Sequence, residues 1–192
     1  MDERAELIET YQATPVTLRA LVRGITDEQA RQRPNTGDWS IVEVVAHLGD
    51  AEERAHERVR WMLEQDHPFL PAYDPAALAE ERDYRSMSLA AALARFERLR
   101  AEHVATLARL DAAGWARSGQ HEEAGRITVE SLTRHMAAHD AIHLAQIART
   151  ITASGSVALT AIDPIATLRS LSGIPSPRRA SIQSASDGAA HR

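Results

Sequence analysis

Residues 128–151 read TVESLTRHMAAHDAIHLAQIARTI. Val129, Leu132, Met136, Leu144, Ile147, Ala148 and Ile151 recur there with helical period, the pattern of a helix that buries one face. His139 and His143 are four residues apart, so on a helix they project from one side, one turn above the other, within or beside that apolar stripe. Such a pair can reach a single divalent ion, as the outer residues of H-E-x-x-H do in zinc proteases. The central glutamate of that motif is absent, which excludes a metalloprotease and leaves no evident general base. Two readings of the pair stay open: metal ligands, or core histidines satisfied by neighbouring carbonyls. Either way a buried polar pair needs a partner.

Three further helices have the same character. The first spans about Glu3 to Arg23, with Pro15 placed to bend or restart it after Thr14. A short piece from Thr26 to Ala30 follows, and Pro34 to Asp38 is a loop. The second long helix runs from Ser40 to about Gln65. Ser40 and Glu43 make a capping box, and Trp39 is set to pack on Val44 as a hydrophobic staple. Its stripe is Ile41, Val44, Val45, Leu48, Ala51, Ala55, Val59 and Met62. The third runs from about Ser88 to Ala112 through Leu89, Leu93, Phe96, Leu99, His103, Leu107 and Leu110, and Gly114 is expected to stop it. The fourth starts at Thr128, with Ile127 and Leu132 as its staple pair, and ends near Gly155.

Between these helices, Asp66 to Pro75 reads as a connection, Ala76 to Tyr84 as a short helix, and Trp115 to Arg126 as a loop. Beyond about Thr160 the periodicity decays into Ser, Pro, Gly and Ala. That composition predicts a disordered tail over residues 159–192, after a folded domain of residues 1–158. Four amphipathic helices of about 20 residues, without a strand signal, predict an all-α protein, an antiparallel four-helix bundle.

Composition narrows the chemistry. The hydrophobic fraction is 44% but only 4% of residues are aromatic, so the core is aliphatic. Cysteine is absent, which excludes disulfides, Cys-type zinc sites, iron–sulfur clusters and cysteine nucleophiles. All 22 basic residues are arginine, which excludes a P-loop lysine and Schiff-base chemistry. A net charge of −5 with interspersed signs disfavours nucleic acid as a partner. No apolar run approaches the roughly 18 residues that cross a bilayer. The opening Met-Asp-Glu-Arg-Ala-Glu is charged and has no signal-peptide core. The expectation is a cytoplasmic protein without a membrane partner.

Helix two adds His47, at the edge of its stripe one turn from Val44 and Ala51. That position suits a ligand facing a cavity between helices, and equally an ordinary boundary histidine. Taken together, Trp39-Ser40-x-x-Glu43-Val44-x-x-His47-Leu48 and His139-Asp140-x-x-His143-Leu144-x-Gln146-Ile147 resemble the motifs of the DinB/YfiT-like superfamily. The resemblance covers about residues 5–155. It implies an antiparallel four-helix bundle holding one divalent metal on three histidines, here His47, His139 and His143, and homodimers formed by helix packing. The family pattern has no counterpart of the C-terminal tail.

Three imidazoles suit zinc, nickel or another transition ion and fit magnesium or calcium poorly. Three protein ligands leave positions open for water or substrate, as in catalytic zinc sites. The resemblance therefore implies a metal-dependent enzyme on a small molecule, either a hydrolase or an S-transferase using a low-molecular-weight thiol. With no cysteine in the chain, any thiol would be a cosubstrate. A non-enzymatic, stress-associated metal-binding or interaction protein is the alternative. His135, one turn before His139, is a candidate fourth ligand, while His103 reads as a core or cavity-lining histidine. Asp140 and Gln146 flank the ligands, where they either orient imidazoles or face solvent. Glu43 is accounted for by its cap.

Overall fold

The structure is a computed structural model that describes residues 3–153. The expected tail and the boundary at residue 158 lie outside the described residues. In chain order the elements are α1 (Glu3–Leu21), α2 (Asp27–Ala30), α3 (Ile41–Glu64), β1 (Phe69–Leu70), α4 (Pro75–Glu81), a 3-10 turn (Tyr84–Ser86), α5 (Leu89–Leu107), α6 (Ala112–Ala116), β2 (Ser118–His121), β3 (Gly125–Thr128) and α7 (Val129–Ala153). The long helices α1, α3, α5 and α7 form a four-helix bundle.

Local chemistry sets the helix starts. Thr26 and Gln29 cap α2 reciprocally. At α3 the Glu43 carboxylate accepts from the Ser40 backbone N–H at 2.8 Å and from its Oγ at 2.6 Å, while also gripping Arg33. Ser88 Oγ accepts from the Ala91 N–H at 3.1 Å at the head of α5. Thr128 and Ser131 exchange bonds of 2.9 and 3.0 Å ahead of α7. Each such cap satisfies backbone N–H groups that the first helical turn leaves unpaired. The staple residues Trp39 and Ile127 pack on the apolar clusters that hold Val44 and Leu132.

Side-chain pairings reveal the chain path. Arg4 meets Glu130 and Thr14 meets Asp140, so residue numbers rise together along α1 and α7, and these neighbours run parallel. Asp50–Arg95, Glu52–Arg100 and His56–Thr106 show the same for α3 and α5. Arg19–Glu97 and Tyr11–Arg100 make α1 and α5 antiparallel. The bundle is thus two parallel pairs opposed to one another, with α1 diagonal to α3 and α5 diagonal to α7. Periodicity predicts the bundle but carries no information on this path.

The core has two apolar clusters. One joins Leu18, the first two turns of α3, Leu89 to Phe96, and Ile147 with Ile151. The other joins Leu7, the second half of α3, Val104, Leu107 and the start of α7. Between them lies a buried polar layer of Thr14, Glu52, Arg100, His103 and Asp140.

Four local expectations need correction. First, α1 passes through Pro15 without a restart. Proline has no N–H for the Tyr11 carbonyl four residues back; Arg100 Nη1 donates to that carbonyl instead, at 2.8 Å. Second, α5 ends at Leu107, and Asp111 caps a new short helix by accepting from the Gly114 N–H at 2.8 Å. Gly114 therefore sits inside α6 and stops nothing. Third, the expected short helix over residues 76–84 divides into α4 and the 3-10 turn.

Fourth, a small sheet exists where a loop was expected. The strand β2 pairs parallel with β1 and antiparallel with β3. Strands of two to four residues are too short to show a period of two, and so left no signal. Gly119 is required there, because a Cβ would lie 2.8 Å from Leu70 Cδ1 and 2.9 Å from the Pro68 carbonyl. Gly125, at φ +72°, turns the hairpin.

Candidate metal centre

Helices α3 and α7 bring His47, His139 and His143 together at the level of the polar layer. His47 Nε2 lies 3.1 Å from His139 Nε2, and His139 Nε2 lies 3.2 Å from His143 Nε2. The ligating atoms of all three fall within 4.8 Å of one another. His47 is 5% exposed and the other two are half-buried. The Trp39 ring packs against the His47 ring with centroids 4.9 Å apart.

Three imidazole nitrogens converging at this spacing suit a shared ion. With zinc–nitrogen bonds of about 2.0–2.1 Å, tetrahedral neighbours lie about 3.3 Å apart. Gln146 Oε1 is 2.8 Å from His143 Nδ1. By accepting a hydrogen bond from His143 Nδ1–H, it leaves the Nε2 lone pair for the ion. The Nδ1 atoms of His47 and His139 are buried with no hydrogen-bond partner among the described residues.

Burial, reinforced by the neighbouring imidazoles, pushes His47 down to about 4 and His139 to about 3. Burial also lowers His143, against the pull of Gln146 and Asp140. All three rings are therefore neutral near pH 7, the protonation state that a metal requires.

The other candidates fall differently. His135 is exposed, its ring centroid 6.4 Å from that of His139, and it stands outside the converging group. Gln146 has the orienting geometry. Asp140 points inward, 1% exposed, and accepts from Thr14 Oγ1 at 2.9 Å and Arg100 Nη1 at 2.7 Å. His103 is fully buried and meets Glu52 Oε1 at 2.9 Å.

The polar layer itself escaped the sequence reading. Arg100 bridges Glu52, at 3.0 Å, and Asp140, with its guanidinium carbon 3.5 Å from the Tyr11 ring centroid. Burial alone would raise Glu52, but the His103 hydrogen bond and the Arg100 charge hold it at about 2. For Asp140 burial prevails and its carboxyl is raised, despite Arg100 and Thr14. A further buried acid, Asp50, lies one turn after His47 and is held by Arg95 at 2.7 Å, Arg82 and the Tyr84 hydroxyl. A legible signal did exist: Glu52 and Arg100 interrupt apolar stripes at core positions.

Comparison with known proteins agrees with the fold. Residues 10–147 match the family model described as the DinB superfamily, and the chain belongs to that family. A Geobacillus kaustophilus (strain HTA426) protein named "Putative metal-dependent hydrolase GK0616" is 30% identical over 147 residues, 76% of this chain and 83% of the relative. A Geobacillus thermodenitrificans (strain NG80-2) protein, named "Putative metal-dependent hydrolase", is 34% identical over 94 residues. That match spans about half of each, 49% of this chain and 53% of the relative. The solved structure of YfiT from Bacillus subtilis superposes with a TM-score of 0.75 at 25% identity, covering 81% of this chain and 90% of that one. It is described as "a probable metal-dependent hydrolase with an unusual four-helix bundle topology".

Proposed function

We propose that this protein is a metal-dependent hydrolase of a small molecule, with His47, His139 and His143 as the ligands of one divalent transition ion. The observation that carries this reading is the meeting of three Nε2 atoms from two helices, with spacings of 3.1 and 3.2 Å. Zinc or nickel is the ion favoured by three neutral nitrogens and no sulfur or carboxylate. The names of the relatives support hydrolysis.

A bound ion of this kind supplies Lewis acidity and lowers the pKa of a water or thiol at its open positions. The chain's own residues do the rest. Gln146 holds His143 in one tautomer. Trp39 packs against the buried His47 ring. The Arg100–Asp140 pair fixes α7 against α5, and Thr14 fixes it against α1, which sets the rotation that aims His139 and His143 at His47.

No described helix is long and apolar enough to cross a membrane, which is consistent with a cytoplasmic enzyme. Homodimerisation through α1 and α5 belongs to the same proposal, and Val16, 72% exposed on the outer face of α1, supports it. The activity is tested by assaying the zinc- and nickel-loaded protein against amides, esters and lactones, with and without low-molecular-weight thiols. Turnover without thiol that disappears in His139→Ala is the expected result. Turnover only with added thiol would make the enzyme an S-transferase.

A further inference from the structure

Arg54 and Arg58 follow His47 by seven and eleven residues, two and three helical turns, so the three side chains share one face of α3. Both arginines are half-buried. Other arginines in half-buried or buried places grip a carboxylate: Arg95 with Asp50 and Glu53, and Arg100 with Glu52 and Asp140. Arg54 and Arg58 make no ion pair among the described residues. Arg54 has its guanidinium carbon 4.7 Å from the Tyr73 ring centroid. Arg58 lies 6.0 Å from the same ring and donates to the Pro71 carbonyl at 2.6 Å. Glu57 and Glu123 reach Arg58 only through longer-range electrostatics.

Keeping a guanidinium partly out of water without an anion is costly. Two such groups side by side repel as well. The Tyr73 ring, 4.7 Å from the Arg54 guanidinium carbon, offers it a cation–π contact that leaves its N–H groups free to donate. Helix α7 runs antiparallel to α3, so His135, one turn before His139, lies on the same side of the three histidines as Arg54. His121 of β2 is within electrostatic range of both Arg58 and His135. The edge between α3 and α7 thus carries the three-histidine cluster and, beyond it, two guanidinium groups with no ion-pair partner among the described residues.

We propose that Arg54 and Arg58 form an anion-binding subsite, so that the molecule turned over at the histidines carries a carboxylate or phosphate group. The inference rests on the proposed function and adds the chemical class of its substrate. The Arg54 Cα is about 10 Å along α3 from that of His47, so the anionic group stands some bonds away from the bond that reacts. The planar guanidinium fork suits either oxyanion. His135 then lines the path between the two halves.

The test uses the zinc-loaded full chain, with inorganic phosphate and malonate as probes and calorimetry as the readout. Variants are Arg54→Gln, the double Arg54→Gln/Arg58→Gln, and Arg60→Gln on the exposed far face as control. Each is first checked for an unchanged melting temperature and zinc content. Arg54 makes no hydrogen bond among the described residues, so its single variant retains the fold even where the double does not. Loss of two charge-assisted bonds predicts at least about tenfold weaker binding in the double variant, several-fold in the single, and no change in Arg60→Gln. Stronger binding of phosphate or of malonate identifies the group. Equal affinities across all variants, or no binding to the parent at millimolar concentration, would overturn the subsite. Failure to bind zinc with arginine-dependent anion binding retained would instead remove the proposed function alone.

Discussion

Arg100 Nη1 donates to Asp140 Oδ2 at 2.7 Å in a place where both side chains are only 2% exposed. The residue after the second metal-site candidate in sequence is thus the anchor of α7 inside the bundle. Replacing Arg100 with methionine removes the buried cation shared by the Glu52 and Asp140 carboxylates and frees the Tyr11 carbonyl opposite Pro15. Breaking a buried pair from one side costs about 3–5 kcal/mol. Urea unfolding of Arg100→Met should show that loss, while Arg98→Met at the exposed Arg98–Glu102 pair should change little. Similar midpoints for the two variants would remove the structural role given to the polar layer.

Of the three clustered histidines, His143 alone donates to Gln146. Removing that acceptor with Gln146→Leu frees the imidazole to rotate and to change tautomer. Outer partners of this kind are worth about 10–100-fold in metal affinity. Competition against a chelator should find zinc bound about tenfold or more weakly, with helicity unchanged. Unaltered affinity would mean that His143 is oriented by something else.

Acid should weaken the metal-free protein in a defined window. His47 and His139 titrate near 4 and 3 in the folded chain, against an ordinary 6.5. The unfolded chain therefore takes up protons first, and the stability present above about pH 6.5 is lost as pH falls toward those values. Between pH 7 and 5 each contributes a loss of up to about 2 kcal/mol. Glu52, held at about 2, titrates below that window. Urea midpoints of the zinc-free protein should fall from pH 7 to 5, and a flat or rising series would contradict the burial of these rings.

The segment after residue 160 is rich in Ser, Pro, Gly and Ala, so it should be dispensable to the bundle. Truncation there is expected to leave the melting temperature unchanged. A drop of several degrees would show that Ile162, Ile165 and Leu168 contribute packing.

What the sequence made legible follows from periodicity and capping. The stripes of α3 and α7, the Ser40–Glu43 cap and the Thr128 start were all readable, whereas the grouping of His47 with His139 and His143 came from the family resemblance and not from the stripes. The parallel pairing of α1 with α7 was not readable, because amphipathic stripes say which face is buried and not against which neighbour. The short strands β1 to β3 depend on pairing between distant segments, Phe69 with Gln120, which no local window contains. Asp140 was read as a flanking residue or an exposed one. Its position four residues after Met136 and seven before Ile147 places it on the buried face, and the Arg100 and Thr14 donors, distant in sequence, explain why a carboxylate is tolerated there.

The central claim, that three histidines from α3 and α7 hold one ion, is tested most directly by metal analysis. Purified protein reconstituted with zinc and freed of excess should be analysed by mass spectrometry of its metal content, beside His47→Ala and His139→Ala. The account predicts one equivalent per chain for the parent, and little for either variant at unchanged helicity. A parent that keeps no zinc, nickel or other transition ion, or a His139→Ala variant that keeps as much as the parent, would contradict it.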